Sequence, residues 1–493
     1  MLTRTSRTSR LATRTLGAVA IAGAVFLPVA CARHRDDDPR VLAEYVHALY
    51  GAIRVERLSP PVASRLAAYA MTALYAGEAS ANSSMVPLAG TLNNLPALVR
   101  ASSHERVDGT LVAIAAERVV LDSLLREALP TTKSSLAHVA DSLSAARAAE
   151  GIDASTHARS DALGHSLGVQ LVAWSRADGF DGTRGRPYVP PVGEALWFND
   201  SPASNYTTQN ISGASELVTF DNPANQQRAS NTSDRGLILS RPKSATAKTV
   251  PAVNMAGATE PYWREVRPFV LKTWDGCTIA PPPPYSTDSA SPLFRGARVV
   301  FETHATLTAE QREIAYYWAD NAGETGTPVG HWLSIASQLI SERHLSAADA
   351  AQLLLATAVA QADAFIAAWG YKYAFNLLRP RTYIRRVMDK TWEPLIPTPP
   401  FPEHPAGHST QSAAAATVIT AALGDVPFTD STSISLGHAV RHFSSFIAAS
   451  DEAGLSRIYG GIHLPTGNAA GKSLGTCIGE QVKRVLHIKR LGP

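Results

Sequence analysis

The chain has 493 residues, of which 45% are hydrophobic and 18% charged, a composition typical of a globular protein with two or three domains or one large compact unit. Its formal charge is +3. The N-terminal leader accounts for this excess, because it contains Arg4, Arg7, Arg10 and Arg14 and no acid. The rest of the chain is close to neutral, so the charge balance gives no support to nucleic-acid binding.

The leader, residues 1–32, is predicted to be a signal peptide. Its arginines precede an apolar run from Leu16 to Ala30, which is short for a membrane span and leads into the A-x-A-like sequence Ala30-Cys31-Ala32. A buried N-terminal helix is the alternative, and LPVAC around Cys31 vaguely resembles a lipoprotein box. We expect an exported protein, periplasmic or extracellular, with lipid anchoring at Cys31 left open. No later stretch reads as long and apolar enough to span a bilayer.

Residues 38–183 are predicted to form an N-terminal helical region. The stretches RVLAEYVHALYGAI and LVAIAAERVVLDSLLREAL repeat apolar positions at a spacing of three and four residues. A loop-rich insertion with short strands, such as ELVTF, follows over residues 184–294. Long loops in compact enzymes are often a lid or a wall of the site.

Residues 295–490 are predicted to form a C-terminal helical bundle. Thr308 with Gln311, and Ser346 with Asp349, match capping boxes that open helices. The second helix should end near Arg379, because a proline follows. The predicted fold class is all-α.

Cys277 and Cys477 are the two cysteines that follow the leader, and they form no metal motif. A disulfide in an oxidising compartment and two separate buried thiols both remain open.

Three basic clusters in the C-terminal bundle could bind an anion. In the first, Lys372 and Arg379 stand almost two helical turns apart, so they could point from one helix face in an aromatic setting. In the second, Gly407 and His408 stand at the start of an Ala-rich helix, whose free N–H groups and dipole favour anions. A solvated basic stripe and a structural histidine are the alternative interpretations of these two clusters.

The third cluster is SRIYGGIHLPTGNAAG, in which Gly460 and Gly461 separate Arg457 from His463. If the helix bends at these glycines, the guanidinium and the imidazole can face one ligand.

In order, the three clusters read Lys-x6-Arg-Pro, Pro-x-Gly-His and Ser-Arg-x5-His. This order resembles the signature of the superfamily that unites vanadium-dependent haloperoxidases and type-2 phosphatidic acid phosphatases, over residues from about 312 to 486. The resemblance implies helical bundles of the haloperoxidase and acid phosphatase type. It also implies one oxyanion site for vanadate, for which phosphate competes.

The resemblance further implies a role for each site residue. Lys372, Arg379, Arg457 and the Gly407 N–H would bind the oxyanion. His463 would be the ligand of vanadium or the nucleophile of a phosphatase, and His408 would be the acid–base residue.

Two positions, Ala406 and Gly467, depart from the family pattern. Ala406 replaces a serine whose hydroxyl would donate to the oxyanion, a loss that should weaken binding without abolishing it. Many relatives have an aspartate four residues after the second histidine, where this chain has Gly467, so Asn468 or a backbone carbonyl could orient His463 instead. Asp320 resembles the acid that pairs with the second arginine in haloperoxidases, and a helix-end aspartate is the alternative.

Trp369 and Phe401 favour the haloperoxidase branch, in which aromatic residues recur around the vanadate site. The expected substrates are then peroxide, a halide and an organic acceptor. A soluble acid phosphatase that cleaves phosphate esters through a phosphohistidine is the alternative, and an oxyanion-binding protein without turnover is a third hypothesis. The sequence carries no signal for the oligomeric state.

Overall fold

The structure is a computed structural model that describes residues 39–102, 104–200, 209–210, 214–215 and 257–491. The predicted signal peptide, Cys31 and the ELVTF segment lie outside the described residues.

Most of residues 40–183 are helical, as the sequence predicts. The helices are α1 Arg40–Val55, α2 Pro60–Ala81, α3 Gly109–Leu124, α4 Pro130–Ala149, α5 Ala154–Arg176 and the short α6 Phe180–Thr183. Asp108 caps α3 by accepting a hydrogen bond from the Leu111 N–H at 2.9 Å. Helix α3 packs against both α2 and α5. At Gly164 of α5 an added Cβ would lie 2.4 Å from the Val112 carbonyl oxygen, so the two helices approach more closely than a side chain there would permit.

The second half is also helical. After a 3₁₀ turn at Trp263–Glu265, its helices are α7 Pro292–Ala305, α8 Ala309–Tyr317, α9 Thr327–Glu342, α10 Ala347–Phe375, α11 Pro380–Val387, α12 Gly407–Leu423, α13 Phe446–Tyr459 and α14 Pro465–Val485. A second 3₁₀ turn, Ile434–Leu436, lies between α12 and α13. Thr308 and Gln311 form the predicted capping box of α8, and Ser346 caps α10 by accepting from the Asp349 N–H. The predicted all-α class is confirmed.

Strand structure in the described residues is limited to two short antiparallel pairs. Gln209–Asn210 (β1) pairs with Ala214–Ser215 (β2) in the insertion. Phe428–Asp430 (β3) pairs with Arg441–Phe443 (β4) in the connection between α12 and α13.

Helix α10 is the central helix of the core. It packs against α2, α9, α12 and α14, and so joins the two halves of the chain. Among the described residues, it is the one helix long and apolar enough to cross a membrane, with 29 residues and an 18-residue window whose mean hydropathy is 1.5. The expectation that no later stretch would reach that length and hydropathy was therefore wrong. The apolar window of α10 is 100% buried, as in a helix enclosed on every side by neighbours.

The C-terminus of α10 corrects a second expectation. The helix ends at Phe375, because Asn376 adopts a left-handed conformation with φ 51° and ψ 39°. Arg379 lies beyond this turn as the N-cap residue of α11. Lys372 and Arg379 therefore do not share a helix face, and the loop between their helices brings them together.

Cys277 and Cys477 form a disulfide, which decides between the two alternatives that the sequence leaves open. The bond links the segment that precedes α7 to helix α14. Tyr371 of α10 donates to the Cys277 carbonyl at 3.0 Å, so the same segment is also held to the central helix.

Candidate active site

Lys372, in the last turn of α10, is completely buried next to the loop that precedes α12. Its Nζ donates to the carbonyls of Pro402 at 2.9 Å and Glu403 at 3.0 Å. Burial and the positive charge of Arg379 lower the pKa of Lys372 well below its ordinary value. The ammonium group also lies 5.0 Å from the centre of the Phe401 ring.

Arg379 is equally buried and connects two loops. Its Nε donates to the Phe401 carbonyl at 2.7 Å, and one terminal nitrogen donates to the Ile462 carbonyl at 2.9 Å. The same terminal nitrogen lies 3.0 Å from Nε2 of His463. The first basic cluster is thereby in direct contact with the third.

The second cluster has the predicted helix start. Helix α12 begins at Gly407 with Ala406 as its N-cap residue, and no side chain caps it. Its first N–H groups therefore depend on other partners. The His408 ring bonds the Trp318 carbonyl, whereas its Nε2 is buried without a hydrogen-bond partner. Burial and the nearby Arg457 hold the pKa of His408 well below its ordinary value, so the ring is neutral.

In the third cluster the helix ends at the glycines instead of bending there. Helix α13 stops at Tyr459, and Gly461 adopts a φ of 79°, which favours glycine. His463 follows in the loop before α14. Arg457, in the last turn of α13, donates to the Trp318 carbonyl at 2.8 Å, the same oxygen that His408 bonds.

The second and third clusters line one pocket that has a polar floor and apolar walls. Its lining residues are Pro60, Pro328, Phe365, Trp369, Pro399, Phe401, Gly407, His408, Arg457, Ile462 and His463. Lys372 and Arg379 of the first cluster are not among its lining residues, and Arg379 contacts the pocket through His463. The rings of Trp369 and Phe401 are in contact, with centroids 4.8 Å apart. Pro60 comes from α2, so the N-terminal half supplies part of the wall. Sequence reasoning missed this contribution, since no motif marks it.

The insertion supports the wall from behind. Trp369 donates its indole N–H to the Thr259 carbonyl at 3.0 Å. The Thr259 N–H in turn donates to the Pro400 carbonyl at 3.0 Å. The indole orientation therefore depends on a residue of the insertion.

Glu403, which the sequence analysis did not select, contacts His463. Its Oε1 lies 2.9 Å from the His463 Nδ1 and accepts the Leu464 N–H, also at 2.9 Å. Burial raises the pKa of Glu403, and the Leu464 N–H and the charge of Lys372 oppose the rise. Asn468, the residue proposed to orient His463, instead accepts a hydrogen bond from the Ser409 hydroxyl. The carboxylate in the sequence PEHPAGH is the one sequence feature from which this contact could have been predicted.

Asp320 contacts His331, which is neither of the two pocket histidines. The His331 Nδ1 lies 3.1 Å from one Asp320 oxygen, and its Nε2 lies 3.0 Å from Asp430, with all three side chains buried. Burial lowers the pKa of His331, but the two carboxylates outweigh this effect and raise it to about 10. The His331 ring stacks on Trp318 with centroids 4.5 Å apart, so this charged group contacts the residue whose carbonyl bonds His408.

These residues suit a tetrahedral oxyanion such as vanadate or phosphate. Burial and the charges of Arg379 and Lys372 lower the pKa of His463, so its ring is neutral and carries a lone pair on one nitrogen. Guanidinium and ammonium groups compensate negative charge in such a pocket, and the N–H groups of a helix N-terminus add donors. Fold and site together define an all-α helical-bundle protein with a buried pocket whose residues suit an oxyanion.

Comparisons with known proteins agree with this class. Residues 352–490 match the VCPO second helical-bundle domain. The crystal structure of the first bacterial vanadium-dependent iodoperoxidase is similar, with a TM-score of 0.75 and 28% identity, over 92% of this chain and 97% of that chain. The holo form of a bacterial vanadium-dependent chloroperoxidase shares the fold, with a TM-score of 0.56 and 16% identity, over 88% of this chain and 93% of that one. No curated protein matches. These findings support the vanadium haloperoxidase superfamily, which the three-part signature predicted.

Proposed function

We propose that this protein is an exported vanadium-dependent haloperoxidase that binds vanadate and oxidises a halide with hydrogen peroxide. The observation that carries the proposal is the pair of neutral histidines that line one buried pocket, His463 beside Arg379 and His408 with a free Nε2. One ring can supply a lone pair to a bound centre, and the other can exchange a proton beside it.

The His463 Nε2 would hold the vanadium, and Lys372, Arg379 and Arg457 would compensate the charge of the oxyanion. Bound vanadate supplies a Lewis acid that activates peroxide for two-electron oxidation of the halide. The free Nε2 of His408 would accept a proton from the incoming peroxide and return it during turnover. The Gly407 N–H would donate to an oxyanion oxygen.

The apolar walls have a separate role. Trp369, Phe401 and Phe365 surround the polar floor with aromatic rings, which exclude water and suit a large polarisable anion. We propose iodide as the preferred halide. It is the most easily oxidised of iodide, bromide and chloride, and the similar structure with 28% identity is that of an iodoperoxidase.

Export is proposed from the arginine-bearing leader together with the disulfide. Bonds such as Cys277–Cys477 persist in oxidising compartments and are rare in the cytosol. Lipid attachment at Cys31 remains a proposal that mass spectrometry of the mature N-terminus would decide.

The test compares two reactions of the purified protein. We expect vanadate-dependent oxidation of iodide by hydrogen peroxide, with lower rates for bromide and chloride, and inhibition by added phosphate. The second arm offers an aryl phosphate without vanadate. Hydrolysis in that arm without halide oxidation in the first would replace the proposal with a phosphatase, and vanadate binding without either reaction would leave an oxyanion-binding protein.

A further inference from the structure

Glu403 and Gly467 are complementary in shape. Gly467 stands four residues after His463, and a Cβ built on it would lie 2.2 Å from Oε1 of Glu403 and 2.7 Å from Oε2. No side chain at position 467 could share this space with the carboxylate. The glutamate reaches His463 because that position has no side chain.

Hydrogen bonds on both sides of the His463 ring determine its tautomer. Arg379 can only donate, so the Nε2 that lies 3.0 Å from its guanidinium must carry the lone pair. The neutral ring then has its proton on Nδ1. On that side, Glu403 Oε1 already accepts the obligatory Leu464 N–H, and it accepts the Nδ1 proton as well.

We propose that Glu403 is the positioning residue of His463, and that Gly467 provides the space from which the carboxylate acts. The proposal rests on the function proposed above for His463 as the ligand of the oxyanion. By accepting from Nδ1, Glu403 keeps the lone pair on Nε2 and the ring in the plane that faces the pocket.

The origin of this carboxylate matters for the rest of the site. Glu403 belongs to the loop before α12, and its own carbonyl accepts from Lys372 at 3.0 Å. One residue therefore binds the histidine through its side chain and the lysine through its main chain. An acid on α14 would hold the histidine alone.

The test exchanges the two positions. In aspartate, Cβ and a carboxylate oxygen are about 2.4 Å apart, from standard bond lengths and angles. An aspartate at position 467 can therefore place an oxygen almost where Glu403 Oε1 lies, 2.2 Å from the Gly467 Cβ position. The variants are Glu403→Ala, Gly467→Asp and the double exchange, with Glu403→Gln as a milder change if the alanine variant fails to fold.

Binding is measured by equilibrium dialysis of vanadate and of phosphate against each variant. We expect Glu403→Ala to weaken both by roughly 10–100-fold, the usual effect of losing a hydrogen-bond partner of a ligand histidine. Gly467→Asp should also weaken binding, because two carboxylates then compete for one space. The double exchange should recover most of the affinity, a result that a merely structural role would not give.

Nitrogen NMR of the ring, assigned with a His463→Gln variant, reports the tautomer without any bound anion. We expect a proton on Nδ1 in the wild type and in the double exchange, and a mixture of tautomers in Glu403→Ala or Glu403→Gln. Wild-type affinity together with an unchanged tautomer in these variants would overturn the positioning role. A wild-type protein that binds neither anion would refute the proposed function instead, and the ring spectra would still decide the role of Glu403.

Discussion

The buried ion pairs of the N-terminal half differ from the buried cations beside the pocket of the C-terminal half. In the N-terminal half, buried cations are matched with carboxylates, as in Arg65 with Asp178 at 2.6 Å and Arg147 with Asp108 at 2.8 Å. Beside the pocket of the C-terminal half, Lys372 donates instead to main-chain carbonyls, which have no formal charge to offset its own. A carboxylate neutralises the charge of its partner cation, so such a pair attracts a ligand weakly. A cation bound only by carbonyls keeps its positive charge and can attract an anion. The comparison separates charges that hold the fold from charges that we propose act on a bound anion.

The largest expected effect concerns the two pocket histidines. Replacing His463 with Ala should abolish vanadate retention, because it removes the single protein bond proposed for the metal. Replacing His408 with Ala should keep much of the binding and slow turnover by roughly 10²–10⁴-fold, the usual contribution of general acid–base catalysis. Equilibrium dialysis of vanadate and steady-state halide oxidation are measured on both variants.

A matched control for this pair is His438→Ala. His438 contacts Glu313 at 2.8 Å at the partly exposed edge of the C-terminal bundle and does not line the pocket. It should change neither measurement. If His463→Ala bound vanadate like the wild type while His408→Ala lost it, the two assignments would be reversed.

The second prediction concerns His331, which forms a buried charge group with two carboxylates in the C-terminal half. Removing one partner of a buried charge group costs about 3–5 kcal/mol, so His331→Gln should destabilise the fold by that order. Burial lowers the pKa of His331, but Asp320 and Asp430 raise it to about 10. Because the folded value lies above the unfolded value of about 6.5, protonation favours the folded state. The stabilisation is complete below pH about 6.5 and is lost as the pH rises through about 10.

Urea unfolding at several pH values between 6 and 10 checks this expectation. The difference in the free energy of unfolding between the wild type and His331→Gln should decrease as the pH rises. His438→Gln removes a partly exposed histidine–carboxylate contact and should cost at most about 1 kcal/mol. A gap that stayed constant with pH would show that His331 stabilises the fold by packing alone.

Local patterns predicted part of this site from the sequence and long-range contacts supplied the rest. The capping box at Thr308 and the helix start at Gly407 depend on residues within one turn, so the sequence encodes them directly. The end of α10 was also local, but Asn376 was not recognised as its C-cap. The contact of Glu403 with His463 joins residues 60 positions apart, and no helical period signals such a pair.

The third prediction restores a donor to the oxyanion pocket. Ala406→Ser should tighten vanadate binding by about ten- to a hundredfold, because a hydrogen bond to a charged group contributes about 1.5–3 kcal/mol. Serine is also a good N-cap, and Ala406 is the N-cap residue of α12, so unfolding without vanadate must be measured to separate the two effects. Ala406→Gly, which adds no hydroxyl, is the control. Unchanged or weaker binding in the serine variant would show that position 406 does not face the anion.

The smallest expected effect concerns Glu117, a buried carboxyl group of the N-terminal half that has no cation as partner among the described residues. Glu117 of α3 is fully buried, and neither carboxylate oxygen has a hydrogen-bond partner. Burial raises its pKa well above the ordinary value, so the folded state binds a proton that the unfolded state releases at neutral pH. Stability should therefore fall as the pH rises above about 4.5, the ordinary glutamate range.

Glu117→Leu removes the polar group and should stabilise the protein by about 1 kcal/mol or more at pH 7, with a smaller gain near pH 4.5. Glu117→Gln is the matched control, because it keeps a buried polar group of the same shape but cannot ionise. Glu117→Gln should show only the part of the stability gain that depends on pH, because it removes the ionisation and keeps the buried polar group. Urea unfolding of the three proteins at both pH values gives the comparison. A leucine variant less stable than the wild type would contradict this prediction. It would mean that the Glu117 carboxyl group stabilises the N-terminal half although it has no hydrogen-bond partner.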